Sequence, residues 1–365
     1  MLLNFQFSFF APRPSQPTLI PHRRSVKKMQ ALSLHSLVKI CVFARLILIL
    51  SYMQDAAHRP YYDFASFLRK YFDGKVQKIS VHAGFTCPNR DGTLGVGGCT
   101  YCNNQTFSPE YCDSKRTVSQ QLNDGIRFFA NKYPTMRYLA YFQAYTNTYG
   151  ELEHLKAMYE EALSVDGVVG LIIGTRPDCM PDALLDYLEE LSRQTFLMVE
   201  YGIESANDDT LRRINRGHDF ATAVDTIRRT HERKILTGGH LILGLPGEGH
   251  DELIRQAGCI ASLPLDMIKL HQLQLIRGTR MAREYELNPH EFHLFTIDEY
   301  IETVIDYIER IPPHIVLERF VSQSPRSLLI APDWGIKNYQ FAERLHRRMA
   351  ERDTWQGKRL ERHYI

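Results

Sequence analysis

The chain has 365 residues, 44% hydrophobic and 24% charged, an ordinary globular composition with room for one large α/β barrel and a small further domain. Its net charge of +2 is uneven: residues 1–60 carry eight Lys/Arg against Asp55, a local +7 that leaves −5 for the rest, so bulk charge gives no case for nucleic-acid binding. Seven cysteines, an odd number at irregular spacing, do not form the disulfide framework of a secreted domain.

Met1 to about Gln54 differs in character from the rest of the chain. Aromatics and prolines lead into a basic patch, His22 to Lys28, and then an apolar run, Ile40 to Leu50, interrupted by Arg45. That run falls short of the roughly 20 apolar residues of a membrane span. A basic, acid-poor transit peptide and an over-extended start, with Met29 or Met53 the initiator, are the competing readings. Residues 1–58 are therefore expected to be a poorly ordered or extraneous N-terminal extension.

From Tyr61 onward strand and helix patterns alternate. Lys75–Phe85 predicts a first strand and Ser119–Tyr133 a helix with Leu122, Ile126 and Phe129 on one face. Arg137–Tyr145 is a second strand, Glu151–Leu163 a second helix. Val168–Thr175 is a continuous apolar run, as in a strand buried on both faces. Asp182–Leu191 follows as a helix, Phe196–Ile203 as a strand, Phe220–Arg233 as a helix and Leu236–Leu245 as a fifth strand. Asp251–Leu263 is a helix and Met267–Ile276 a sixth strand. Six alternations imply parallel pairing through right-handed crossovers. The expected fold is an α/β, partial six-stranded parallel (β/α)6 barrel, with a flat doubly wound sheet as the rival. Domain limits are expected at 59–290 for the barrel and 291–365 for a small C-terminal domain. That domain holds an amphipathic helix (Ile297–Ile308), a strand-like run (Ile315–Phe320) and a basic tail from Asn338.

In such barrels chemistry sits at the C-terminal ends of the strands. After the first strand lies a glycine-rich loop with Cys87, Cys99 and Cys102 in a C-x11-C-x2-C arrangement. Three soft thiolates without an obvious fourth ligand suit a metal centre with an open position, zinc or iron–sulfur. Later strand ends carry Gln143 to Asn147, Gly174 to Asp178, Glu200 to Ser205, and Gly244 to Glu248. The sixth strand carries Lys269, His271 and Gln274, and Arg319 with Ser322–Arg326 is expected near the barrel mouth. Cys41, Cys112, Cys179 and Cys259 show no paired spacing, which argues against a second cluster; Cys112, ten residues past the loop, is also a candidate thiol.

The segments HAGFTCPNRDGTLGVGGCTYCNN, YLAYFQAYTNTY, GLIIGTRPDCMPD, GIESANDDTLRRINRGHD and HLILGLPGE resemble those of radical S-adenosylmethionine (SAM) proteins of the YhcC/YtqA type, themselves similar to the radical SAM part of Elp3. The long first gap departs from the more usual C-x3-C-x2-C and matches this subgroup. The resemblance implies that Cys87, Cys99 and Cys102 bind a [4Fe–4S] cluster whose open iron chelates SAM. Reductive cleavage of SAM then gives a 5′-deoxyadenosyl radical that takes hydrogen from a substrate. It further implies SAM contacts at Tyr145 to Asn147, at Glu204 and Ser205 for the ribose, at Arg216 for the carboxylate, and at the Gly244–Gly247 turn for adenine. Competing structural readings are a helix cap for Glu204, an ion pair for Arg216 with Asp219 or Glu204, and a plain tight turn for Gly244–Gly247. A flavodoxin or ferredoxin reductant, a cytoplasmic location and no stable membrane partner are the corresponding expectations. Kinship with Elp3 points to a tRNA nucleoside as one substrate class, with a small molecule as its rival. The alternative outside this class is a zinc-binding or electron-transfer module without SAM chemistry.

Overall fold

The computed structural model describes residues 59–106, 109–130 and 136–360. The N-terminal extension lies outside the described residues, as does the end of the first predicted helix. The described residues form one compact unit.

A short helix α1 (Phe64–Leu68), capped by the Asp63 carboxylate, precedes the first strand. The elements then run β1 (Val76–Val81), α2 (Val118–Ala130), β2 (Arg137–Phe142), α3 (Leu152–Leu163), β3 (Val168–Thr175), α4 (Asp182–Ser192), β4 (Phe196–Glu204), α5 (Asp208–Arg213), α6 (Phe220–Glu232), β5 (Leu236–Leu243), α7 (His250–Ala261) and β6 (Met267–Gln272). Next come β7 (Leu275–Ile276), α8 (Arg280–Leu287), α9 (Ile297–Ile308), β8 (Val316–Arg319), β9 (Leu329–Ala331) and α10 (Asn338–Glu351). Every pair in the main sheet is parallel, in the order β1-β2-β3-β4-β5-β6-β8. The sheet is a half-barrel of seven strands. The expected six gain a seventh from the segment assigned to the C-terminal domain, because α9 serves as one more crossover and returns β8 alongside β6. Strands β7 and β9 pair separately and antiparallel.

The two faces of the sheet have different partners. Ile79, Ala140, Ile173, Val199, Leu241 and Leu270 face outward and pack against the helices. Leu139, Ile172, Met198, Met267 and Val316 face inward and form an apolar layer closed by Phe67 and Leu68 of α1. Period-two alternation makes that division. Next on the inward face, toward the C-terminal rim, come polar and charged residues: Lys78, Tyr141, Glu200, His240 and Lys269. The barrel therefore has an apolar base, a charged floor and an open rim.

Candidate functional site

A cavity of about 430 Å³ opens at the C-terminal ends of the strands. Cys87, Cys99 and Cys102 all line it. The eleven residues between Cys87 and Cys99 double back as a small hairpin. The Cys87 carbonyl accepts from the Arg90 and Asp91 amides, the Pro88 carbonyl from Leu94 and Gly95, and the Asn89 carbonyl from Gly98 at 2.8 Å. Asp91 and Val96 form an antiparallel bridge. This turn needs Gly98 at φ +79°, where a Cβ would also lie 2.8 Å from the Arg90 Nε. The long gap thus returns Cys99 to the neighbourhood of Cys87.

A second segment staples the loop down. The buried Asn89 amide donates to the Asn215 carbonyl at 2.6 Å, Asn215 Nδ2 donates to the Gly98 carbonyl at 2.9 Å, and the Thr100 amide donates to the Ile214 carbonyl. The RINRGHD motif is therefore packed beneath the cysteine loop. Nitrogen donors face the sulfurs: Arg216 Nη1 lies 3.5 Å and Asn89 Nδ2 3.7 Å from Cys99 Sγ, and Asn104 Nδ2 lies 3.6 Å from Cys102 Sγ. Burial and the adjacent Cys99 push the Cys102 thiol up to about 11, although Arg90 opposes the shift. A buried thiol raised in this way is suited to a bound cationic metal, which reverses the penalty. Among the described residues no three His, Cys, Asp or Glu side chains are grouped around a single ion position. Cluster ligands need no such grouping, since each thiolate takes its own iron.

Beside the loop, Glu204 and the buried Arg216 line the cavity as a pair 3.7 Å apart. Room for the pair comes from Gly202: a Cβ there would lie 2.6 Å from Glu204 Oε1 and 2.7 Å from Arg216 Nη2. Arg176 also lines the cavity and grips Asp178 bidentately at 2.9 and 2.7 Å. Arg216 Nε and Arg176 Nη1 are buried without partners among the described residues. Tyr145 lines the cavity at φ +64°, and Glu204 sits at φ +67°. Two side-chain-bearing residues in the left-handed region at the strand ends mark stored strain, which concentrates at working sites.

Four of the residues expected to contact SAM, Asn147, Ser205, Gly244 and Gly247, do not line the cavity. Asn147 is fully buried and ties two strands together, donating to the Phe142 carbonyl at 3.1 Å and the Gly174 carbonyl at 2.8 Å. Ser205 turns into the helical layer, where its hydroxyl donates to Glu248 at 2.5 Å and accepts from the Asn207 amide. Gly244 is covered by Phe295, whose ring would lie 2.7 Å from a Cβ there, and Gly247 lies outside the lining. Ile242 and His240 form the cavity wall from β5 instead. Glu204 is not the cap of α5, which is Asn207. Cys112 lies outside the cavity lining: its Sγ donates to the Ser80 carbonyl at 2.9 Å, and burial pushes it up to about 12.

The period-two pattern of the sixth strand puts Lys269 and His271 on one inward side, where a salt bridge is one reading, but sequence reasoning missed the acids that complete a charged floor. Glu200 is fully buried and meets Lys269 at 2.6 Å, His240 at 2.9 Å and Lys78 at 3.1 Å. Glu318 meets Lys78 at 2.6 Å and Lys269 at 3.5 Å. Burial alone would raise the Glu200 carboxyl, yet Lys269 and Lys78 hold it well below the usual carboxylate range. Burial brings Lys269 down to about 8 against the pull of Glu200. His271 is kept neutral by burial, then by His240 and Arg319. The available signal was the i, i+2, i+4 run of Glu200, Gly202 and Glu204, which must share one face of β4.

A parallel half-barrel with a three-cysteine loop at its C-terminal rim defines a radical SAM protein. The family profile described as Radical SAM superfamily matches residues 87–256, and that of the Radical_SAM C-terminal domain matches residues 265–351. The chain is 37% identical over 305 residues to the uncharacterized protein YtqA of Bacillus subtilis, covering 83% of this chain and 94% of that protein. It is 39% identical over 303 residues to protein YhcC of Escherichia coli, covering 83% and 96%. Among solved structures it resembles the archaeal Methanocaldococcus infernus Elp3, with a TM-score of 0.59 at 16% identity, over 78% of this chain and 65% of that one. The chain belongs to the YhcC/YtqA-type family of radical SAM enzymes. Among the described residues no helix is long and apolar enough to cross a membrane.

Proposed function

We propose that Cys87, Cys99 and Cys102 hold a [4Fe–4S] cluster and that the protein uses it with SAM to abstract hydrogen from a substrate in the same cavity. One observation carries this reading: three thiols and two guanidinium groups with unsatisfied buried nitrogens line one cavity. When bound, the cluster and SAM supply a 5′-deoxyadenosyl radical. The chain's own residues bind and orient. Arg216 offers the SAM carboxylate its guanidinium fork. Glu204 accepts from the ribose hydroxyls. The strained turn at Tyr145 presents backbone oxygens to the SAM ammonium. Asn89, Asn104 and Arg216 donate toward the sulfurs and so tune the cluster potential. A small electron carrier such as flavodoxin or ferredoxin is the reductant this reading requires.

Anaerobic reconstitution tests it. Wild type is expected to take up about four irons and four sulfides per chain. Its reduced electron paramagnetic resonance (EPR) spectrum should change on adding SAM, and 5′-deoxyadenosine should form on reduction. SAM cleavage persisting in Cys99→Ala would defeat the reading, and one bound zinc in place of the cluster would favour the non-radical alternative. The likeness to the Elp3 structure keeps a tRNA nucleoside as a second substrate reading. Comparing modified nucleosides in tRNA from cells with and without the gene decides it.

A further inference from the structure

The floor of the cavity has a feature that the rim does not explain. In β8, Val316 packs inward with Tyr141 and Met267, and Leu317 packs outward with the helices. Strict alternation would point Glu318 inward and Arg319 outward. The ladder with β6 breaks at that point: Ile268 pairs with Leu317 but Lys269 with Arg319, leaving Glu318 as the extra residue of a bulge. A bulge re-aims side chains. Here it allows two successive charges to face the barrel interior. Glu318 binds Lys78, while Arg319 lines the cavity.

Among the described residues that line the cavity, Arg319 and, beside the cysteine loop, Arg90 have no acid partner. The carboxylates of Glu200 and Glu318 are met by the ammonium groups of Lys78 and Lys269. Toward the rim, Glu204 belongs to Arg216 and Asp178 to Arg176. The side chain of Arg319, an exposed residue, makes no hydrogen bond or ion pair with any described residue, while its backbone pairs with Lys269 in the ladder. Its neighbours add uncharged donors. The segment just after it is pinned to β6 and its exit: Ser322 donates its amide to Gln272 at 2.8 Å, and Ser324 donates its hydroxyl to Gln274 at 2.7 Å. Between them Gln323 lines the cavity and makes no hydrogen bond with a described residue. The aromatic ring of the floor, Tyr141, already lies 4.7 Å from the Lys269 ammonium and 5.1 Å from that of Lys78. A nucleobase is recognised by stacking between aromatic faces, and this floor has that ring engaged.

We infer that the floor is an oxyanion subsite: the substrate is a small acid whose carboxylate or phosphate group is held by the Arg319 fork with the Gln323 amide beside it. This rests on the radical SAM reading, since it places the substrate opposite the cysteine loop. A bidentate guanidinium suits both oxyanions.

The test uses the full-length, cluster-reconstituted protein and three probes: glutarate, inorganic phosphate and, as the neutral control, glutaramide. Calorimetric titration is expected to show binding of glutarate, phosphate or both, and none of glutaramide; the preferred anion identifies the group. Arg319→Ala should weaken that binding about 10- to 100-fold, the worth of a charge-assisted hydrogen-bonded contact. Arg319→Lys should weaken it less, because the charge stays and the fork is lost. Arg319→Gln, which keeps a polar side chain without the charge, guards against a cavity artefact, and melting curves verify that each variant is folded. The proposal is overturned if neither anion binds, if the anions bind Arg319→Ala as tightly as wild type, or if glutaramide binds as well as glutarate. Tight binding of an unmodified tRNA transcript that neither anion weakens also overturns it, in favour of RNA. The two readings fail separately. Anion binding without a SAM-induced EPR change retires the radical reading and keeps the subsite, and the converse result retires the subsite alone.

Discussion

At the scale of single residues, the floor works through Glu200. It is fully buried and reached by two ammonium groups and an imidazole. Removing one member of a buried ionic network costs more than the network contributes, because the remaining charges stay buried and unpaired. Glu200→Gln is therefore expected to destabilise the fold by about 3–5 kcal/mol in urea unfolding near neutral pH. The pH dependence has a definite sign. The folded Glu200 carboxyl lies below its unfolded value, so its stabilisation is full above about pH 4.5 and is lost as pH falls through the folded value. Wild type should lose stability on acidification below about pH 4.5, and Glu200→Gln should lose less over the same interval. Gly202 gives a second residue-scale prediction. A methyl there meets the Glu204–Arg216 pair. Gly202→Ala should weaken SAM binding about tenfold or more while iron content stays at the wild-type level, because the cysteine loop is held from the Asn215 side. Equal SAM affinity in titrations of the two proteins would disprove it.

At the scale of elements, the cysteine loop and the strand order were legible in the sequence for different reasons. The strands announce themselves by apolar runs bounded by turns, and the loop by three thiols at a fixed spacing. Side-chain direction just past a strand end was not legible. Period two holds only while the backbone stays extended. Glu204, at φ +67°, ends the alternation, and Ser205 consequently turns toward Glu248 rather than the cavity. Tyr145, at φ +64°, lies two residues before Asn147, which turns back onto the Phe142 carbonyl. The Lys78–Glu200 and Lys78–Glu318 contacts span 122 and 240 residues, and only the sheet register brings them together. The loop itself yields a test. Gly98→Ala combines a left-handed φ with contact on Arg90, a strain of about 1–2 kcal/mol per residue. Its expected result is lower iron incorporation with an almost unchanged melting temperature, read by iron assay and calorimetry. Full iron loading would mean that the hairpin relaxes without moving Cys99.

At the scale of the whole described unit, the half-barrel has an edge to protect. An uncovered edge strand offers free amides and carbonyls to other chains. Strand β8 forms one of the two edges, opposite β1, and the segment leading into α1 covers it: the Leu317 amide donates to the Tyr62 carbonyl at 2.8 Å, and Asp63 bridges Leu317 in parallel. That segment is held in turn by one residue from the far end of the chain. Gln356 accepts from the Tyr62 amide at 2.9 Å and donates to the Pro312 and Ile315 carbonyls at 2.7 Å each, while its own amide donates to the Pro60 carbonyl. The side chain is buried, so all three side-chain bonds exclude water. Gln356→Ala leaves one backbone amide and two carbonyls without their partner, at about 1–3 kcal/mol for each group that water cannot reach. Gln356→Glu is worse, since a carboxylate cannot donate to the two carbonyls and is itself desolvated. Both variants should lower the urea midpoint, Glu more than Ala. Both should also gain a tendency to associate as the Pro60–Asp63 cover loosens, visible as concentration-dependent light scattering below the unfolding transition. Because none of the hydrogen-bond partners of Gln356 belongs to the cysteine loop, the fraction that stays folded should load iron as wild type does. A loss of iron in step with the loss of the edge cover would show instead that the cover and the rim are coupled through β8.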